Sequence, residues 1–343
     1  MALLGAENAL QFSGHIAAGF ARGILKVQKE HQGTRIDFGF LPMPQRITAI
    51  INASSGAPDD DTHKRLGAVL QSKGLNWDIR PAQSGEEILA LGKEAAKNHS
   101  DIVVAGGGDG TVNCVASSLI GTDKIFGVLP LGTLNHFAKD LAIPLELESA
   151  VDNIVAGHVT SVDVGEVNGR FFLNNSSIGI YPKIVDRREA QQKEGRSKWA
   201  ALFSASLRTL RRYAVFRVRV TADSRQFTRK TPVVFVGNNQ YQIEGINLGS
   251  RKRLDDGHLC LYVLHHTGLW GLVRFVVRAF VGKAWAMTEF DASAAREVRI
   301  ETRRRSLRVA LDGEVWNLGT PLLYRIHPGA LKVIAPASQA KSD

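Results

Sequence analysis

The sequence predicts an α/β N-terminal domain with a mainly parallel sheet, followed by a β-rich second domain of sandwich type. Three observations predict it. Ile47 to Ile51, Asp101 to Ala105 and Ile125 to Leu129 are short apolar runs without alternation, the pattern of strands buried on both faces. Helical stretches lie between them, which is how parallel strands are joined. After about Thr160 the chain changes to short, often alternating strands with few helices, the pattern of antiparallel pairing and a sandwich.

The length of 343 residues is more than one ordinary core accommodates, so two domains are expected. With 44% apolar and 22% charged residues the composition is that of a globular chain. The expected division is an extension over 1–44, the α/β domain over 45–160, a second domain over 161–334 and a tail over 335–343.

Taken in order, Ile47 to Ile51 is a strand ending in Asn52-Ala53-Ser54-Ser55-Gly56, a turn-forming cluster. Thr62 to Lys73 reads as a helix, Asn76 to Arg80 as a strand and Gly85 to Asn98 as a helix. Asp101 to Ala105 runs into Gly106 to Gly110, with a helix from Thr111. Ile125 to Leu129 runs into Pro130-Leu131-Gly132-Thr133. In the second domain, strands are expected at Val162 to Val167, Arg170 to Ser176, Phe216 to Thr221, Thr231 to Asn238, His258 to Leu264, Val298 to Thr302 and Ser306 to Leu311. Helices are expected around Trp199 to Arg212 and Leu269 to Val281.

The net charge of +10 favours polyanions: nucleotide phosphates, nucleic acid or an anionic membrane surface. No helix-turn-helix, RNA-binding or zinc pattern accompanies it, so nucleic acid is not an expected partner. Cys114 and Cys260 have neither disulfide-framework nor metal-ligand spacing, which fits a reducing cytosol. The apolar stretch Gly268 to Gly282 is too short to span a bilayer and carries Arg274 and Arg278. A secretory signal is not expected, because Glu7 comes early and no basic segment precedes it.

Two segments carry chemistry. In Gly106-Gly107-Gly108-Asp109-Gly110-Thr111 a buried strand passes through glycines into a helix. Glycines let a phosphate approach the backbone, and a helix start offers free N–H groups to an anion. Alone, such a turn is an ordinary strand–helix connection, and it lacks the Gly-Lys-Ser/Thr ending of a Walker A loop. Gly132-Thr133-Leu134-Asn135 is a second such turn, with Thr133 and Asn135 suited to capping or to phosphate contact. Ligands of parallel sheets sit beyond the carboxyl ends of the strands, so all three turns should share one edge.

These two loops resemble those of the diacylglycerol kinase catalytic-domain family, which includes bacterial lipid kinases, sphingosine kinases and ceramide kinases and, more distantly, NAD kinases. The resemblance extends over about residues 46 to 336. Asn52 to Gly56 is similar to the family's Asn-Pro-x-Ser-Gly loop, with Ala53 in place of proline. Gly237-Asn238-Asn239, Arg253 to Gly257, Asp312-Gly313-Glu314 and Pro328 to Leu331 resemble further family segments.

The resemblance implies an ATP-dependent kinase acting on diacylglycerol or a related lipid. ATP would lie on Asn52, Ser54, Ser55, Gly56, Gly106, Gly107, Gly108, Asp109, Gly110, Thr111, Gly132, Thr133 and Asn135, with Mg²⁺ bridging its phosphates. Acids near the terminal phosphate would hold the metal through water or take the proton, and Asp109, Asp312 and Glu314 are the candidates. Asp312 is expected as the base and Asp109 as the residue serving Mg²⁺–ATP, although in sphingosine-kinase-like members the base role falls at Asp109. A structural Mg²⁺ is implied at Asp256 with the carbonyls of Arg253 and Leu259; an Asp-Gly turn without metal is the plainer reading. His136 stands where many relatives carry an aspartate, and Asp163 matches another family acid.

The implied lipid would be met at an anionic membrane surface, by a cytoplasmic protein associated peripherally with the inner face. Lys193, Arg196, Lys198, Arg208, Arg211 and Arg212 around the first expected helix, Arg274 and Arg278 on the second, and Arg303 to Arg305 suit such a surface; solvated or self-packed faces are the plainer reading. A homodimer stays open. The alternatives are a kinase of a soluble acceptor such as NAD and a non-catalytic lipid-binding relative.

Overall fold

A computed structural model gives the fold and describes residues 37–40, 46–53, 62–179, 215–241, 251, 253–264 and 290–337. The first part of the chain supplies β1 (Asp37–Phe40), β2 (Ile47–Asn52), α1 (Thr62–Ser72), β3 (Asp78–Ala82), α2 (Gly85–Ala95), β4 (Ile102–Gly107), α3 (Asp109–Leu119), β5 (Ile125–Pro130), α4 (His136–Asp140) and α5 (Leu147–Ala156). Then follow β6 (His158–Val167), β7 (Arg170–Phe172), β8 (Asn175–Gly179), β9 (Phe216–Ala222), β10 (Arg225–Thr231), β11 (Val233–Asn238), β12 (Leu259–Leu264), β13 (Phe290–Ala295), β14 (Glu297–Glu301), β15 (Ser306–Leu311), β16 (Glu314–Gly319) and β17 (Leu322–Ile334).

β3, β2, β4 and β5 pair in parallel, in that order. Their side chains alternate between two cores. Ile50, Val103, Ala105, Phe126 and Val128 enter one with α2 and α3. Ile47, Ala49, Ile51, Ile102, Val104 and Leu129 enter the other with α1 and α5. Burial on both faces explains why these strands read as unbroken apolar runs.

The same sheet continues from β5 into β17 and on to β14, β9 and β10. A second, antiparallel sheet has the order β13-β12-β11-β8-β15-β16. Val218, Val220, Ile300 and Leu322 of the first sheet face Ile178, Val236, Leu261 and Val309 of the second, forming the sandwich core. β17 belongs to both cores: Leu322, Tyr324 and Ile326 enter the sandwich, while Leu331 and Val333 enter the α/β core. Its register against β6 shifts between His327 and Leu331, where Gly329 adopts φ +60°.

Several elements differ from the sequence reading. Arg170 to Ser176, expected as one strand, breaks at Leu173 and Asn174, because their N–H groups turn to the Asp312 carboxylate. Thr231 to Asn238 is split by Pro232, which has no N–H for a ladder. The helix expected from Thr111 begins at Asp109, with Gly108 as its N-cap. The strand expected at Asn76 to Arg80 runs over Asp78–Ala82. β1, α5, β10, β13 and β16 are not among the elements expected from the sequence. The expected helices around 199–212 and 269–281, with the basic residues placed on or beside them, lie outside the described residues, as do Ser54, Ser55 and Gly56.

Candidate active site

The register of the parallel strands builds one edge. Ile51 lies beside Gly106, and Gly106 beside Leu129. Asn52, the glycines after β4 and the Leu131–Gly132 turn therefore emerge together. Leu131 N–H donates to the Gly107 carbonyl at 3.1 Å, tying the second turn to the first. A side chain on Gly132 would begin 2.4 Å from the Gly108 Cα, so the two loops meet backbone to backbone.

Side chains then lock the loops. Asn52 Nδ2 donates to Thr111 Oγ1 at 3.1 Å, fixing the first turn of α3. Asn135 adopts φ +50°, a conformation asparagine tolerates better than most residues. Its Nδ2 donates to the carbonyls of Pro130 and Gly132, and its Oδ1 accepts from Gly132 N–H. Asn135 thus shapes its loop from inside, while Thr133 is exposed. Asp109 is half-buried in the first turn of α3, where a carboxylate suits the helix dipole. Its Oδ1 accepts from Phe137 N–H at 3.3 Å, linking α3 to α4.

From the second sheet, the Asp312–Gly313 turn reaches this edge. It connects β15 to β16 in two residues with φ +46° and +92°, matching a type I′ hairpin. The Asp312 carboxylate accepts three backbone N–H groups, from Leu173 at 2.7 Å and from Asn174 and Asn175 at 2.9 Å. Burial pushes its pKa up to about 6, outweighing those donors and the nearby Arg251 charge, which act in the opposite direction. Glu314 follows, its Oε1 3.0 Å from where a side chain of Gly110 would start. Burial, and then the Glu314 charge, push the Cys114 thiol on α3 up to about 11. Glu314 is thus brought beside Gly110 in the first turn of α3, and Asp312 lies two residues before it in the same hairpin.

Behind Asp312 is a buried hub. Arg251 is fully buried and donates from Nε to Asp140 Oδ2 at 2.7 Å. Its Nη1 donates to the carbonyls of Leu173 at 2.7 Å and Asn238 at 3.0 Å, and its Nη2 to Asn174 Oδ1 at 2.7 Å. Neither Arg251 nor Asp140 stood out in the sequence. Arg251 lies 111 residues from Asp140 and 78 from Leu173 along the chain, so no local spacing marks these contacts.

Comparison with known proteins reports on the same regions. Residues 46–167 match the diacylglycerol kinase catalytic domain, and residues 182–335 match the YegS C-terminal NAD kinase beta sandwich-like domain. The chain is 31% identical to the protein named "Probable lipid kinase YegS-like" of Pectobacterium atrosepticum over 236 residues, 65% of this chain and 76% of the relative. The chain belongs to the diacylglycerol kinase catalytic-domain family. It is also 26% identical to a diacylglycerol kinase of Bacillus subtilis, over 79% of this chain and 90% of that one. A crystal structure of a diacylglycerol kinase from Bacillus anthracis shares the fold, with TM-score 0.62 at 22% identity over 85% of this chain and 97% of the other. A second structure from Bacillus anthracis reaches TM-score 0.69 at 25% identity with the same coverage.

Two acids of the family pattern have other neighbours. Asp163 is buried, and its two oxygens accept from Gly257 N–H at 2.6 Å and Gly329 N–H at 2.8 Å. It joins β6 to the turn before β12 and to the bend in β17; desolvation pushes its pKa up. Asp256 Oδ1 lies 3.2 Å from Arg253 Nε, so a guanidinium already meets its charge. With the Arg253 and Leu259 carbonyls it would make a hard-oxygen donor set, but a metal would first have to displace that pair. No group of three His, Cys, Asp or Glu able to hold a metal occurs among the described residues. His136 opens α4 with an exposed ring. No helix among the described residues is long and apolar enough to cross a membrane.

Proposed function

We propose that this protein transfers the γ-phosphate of ATP to a hydroxyl of diacylglycerol or a related lipid. The observation that carries the reading is the approach of the Asp312–Glu314 hairpin to the first turn of α3, with Glu314 beside Gly110 and Asp312 two residues earlier. Phosphoryl transfer asks for positioning, charge neutralisation and a base, with little covalent work by the protein.

In this reading the first-turn N–H groups of α3 and the bare backbone at Gly108 and Gly132 receive the phosphates. Ser54, Ser55 and Gly56 would extend this cradle from the end of β2. The donors present suit Mg²⁺ bound mainly through ATP, since that ion commonly takes one or two carboxylates beside substrate phosphates. Asp109 would hold it, and its chemistry there is to neutralise charge on the transferring group.

Asp312 takes the proton of the acceptor hydroxyl. Its Oδ2 accepts one backbone N–H and its Oδ1 two, so Oδ2 keeps the more available lone pair. A pKa of about 6 leaves it ionised at neutral pH yet basic enough to take a proton. Glu314 adds a second acceptor on the α3 side. A lipid acceptor requires the protein to work at a membrane surface, and the net charge of +10 favours an anionic one.

The test is incubation with ATP, Mg²⁺ and separate diacylglycerol, phosphatidylglycerol, ceramide, sphingoid base and NAD, with products identified by mass. One lipid gaining a phosphate supports the reading. Transfer to NAD alone, or to none of them, contradicts it.

A further inference from the structure

We propose that Arg251 is a positioning residue for phosphoryl transfer, coupling the nucleotide loops to the base. This rests on the reading of the chain as a lipid kinase with Asp312 as base.

The coupling is a continuous path of short contacts. The first acid of the glycine loop, Asp109, accepts from Phe137 N–H at one end of α4. The other end of that five-residue helix is Asp140, which holds Arg251 through Oδ2 at 2.7 Å and also accepts Arg251 N–H at 3.3 Å. The far side of the same guanidinium grips the Leu173 carbonyl and the Asn174 side chain, both at 2.7 Å. Those two residues, with Asn175, supply the three backbone N–H groups that hold the Asp312 carboxylate among the described residues.

Geometry explains why arginine is suited to this place. A guanidinium presents a rigid fork of donors, so fixing it on Asp140 also fixes the direction of its other N–H groups. Leu173 and Asn174 are outside any strand, in the gap between β7 and β8. Without the fork, the segment that orients Asp312 keeps its ladder neighbours but loses its brace. Asn238, whose Nδ2 donates to the Leu173 and Asp163 carbonyls, holds the segment from the other direction.

The ion pair alone would be a structural device, so the test separates charge from fork. Arg251→Lys keeps a cation against Asp140 but not the planar fork to Leu173 and Asn174. Asn174→Ala leaves the ion pair whole and removes one arm. For both, kcat for lipid phosphorylation is measured with the binding of a non-hydrolysable ATP analogue and thermal unfolding. Small misplacements of a reacting group cost up to about a hundredfold, so kcat is expected to fall about tenfold or more in Arg251→Lys. Asn174→Ala is expected to lose about threefold to tenfold on the same ground, with analogue affinity within about twofold in both variants.

If Arg251→Lys fails to fold, Asn174→Ala decides alone. The proposal is overturned if the folded variants keep wild-type kcat, or if any loss of rate is matched by an equal loss of analogue affinity. Asp312→Asn is the control. Wild-type transfer abolished by Asp312→Asn, alongside unaffected Arg251 and Asn174 variants, overturns the positioning role only. A wild-type protein that phosphorylates no lipid overturns the kinase reading and this proposal with it.

Discussion

Gly132 faces Gly108 so closely that a methyl group added to Gly132 would lie 2.4 Å from the Gly108 Cα. The reverse is not true: a methyl on Gly108 would meet Gly132 Cα at 3.6 Å, an ordinary contact. The two glycines therefore answer differently to the same substitution. Gly132→Ala must spread the loops and is expected to cost about 1–3 kcal/mol of stability. Gly108→Ala is expected to leave stability nearly unchanged while still weakening ATP binding, because its side chain would stand where phosphate approaches. Thermal unfolding and calorimetric titration with an ATP analogue distinguish the two.

Asp312 is expected to limit the rate at low pH. Its pKa of about 6 means that kcat/KM should rise with pH through about 6, as the carboxylate becomes available to take a proton. Asp312→Asn should lower kcat by about 10² to 10⁴ with little change in ATP affinity. A nearly normal kcat in that variant would move the base role to Asp109 or elsewhere.

The same shift has a consequence for stability. Folding raises the Asp312 pKa from 3.8 to about 6, so it favours the protonated form. That contribution is complete below the unfolded value near 4 and is lost as pH rises through 6, in total about 3 kcal/mol. Wild-type stability measured relative to Asp312→Asn in urea should fall between pH 4 and pH 7. A difference that is flat with pH would mean that the carboxyl is not desolvated.

What was legible in the sequence follows the range of the contacts. β2, β4 and β5 announce themselves because each is buried on both faces, and their glycine turns follow at once in the chain. The Asp312–Gly313 hairpin was legible as a turn for the same local reason. Its contact with Leu173 to Asn175 was not, because those residues lie 137 to 139 positions away. The break between β7 and β8 stayed hidden too, since a distant carboxylate causes it. Arg251 reads in the sequence as one basic residue among several; only the fold buries it against Asp140.

That buried pair makes its own prediction. Asp140→Ala would leave the Arg251 charge uncompensated in the interior and is expected to cost about 3–5 kcal/mol. Combining it with Arg251→Met should restore much of that stability, because the double variant removes both members of the pair. Urea unfolding of the two single variants and the double variant gives the coupling. Strictly additive losses would show that the two residues act independently.

The arrangement as a whole stands on where the terminal phosphate sits. The most direct measurement is a crystal structure with a non-hydrolysable ATP analogue and Mg²⁺. The predicted result places the terminal phosphate against the N–H groups of Gly108 to Thr111 and the Gly132 turn, facing Asp312 Oδ2. A triphosphate bound away from these loops, or one whose end points away from Asp312, would contradict the account.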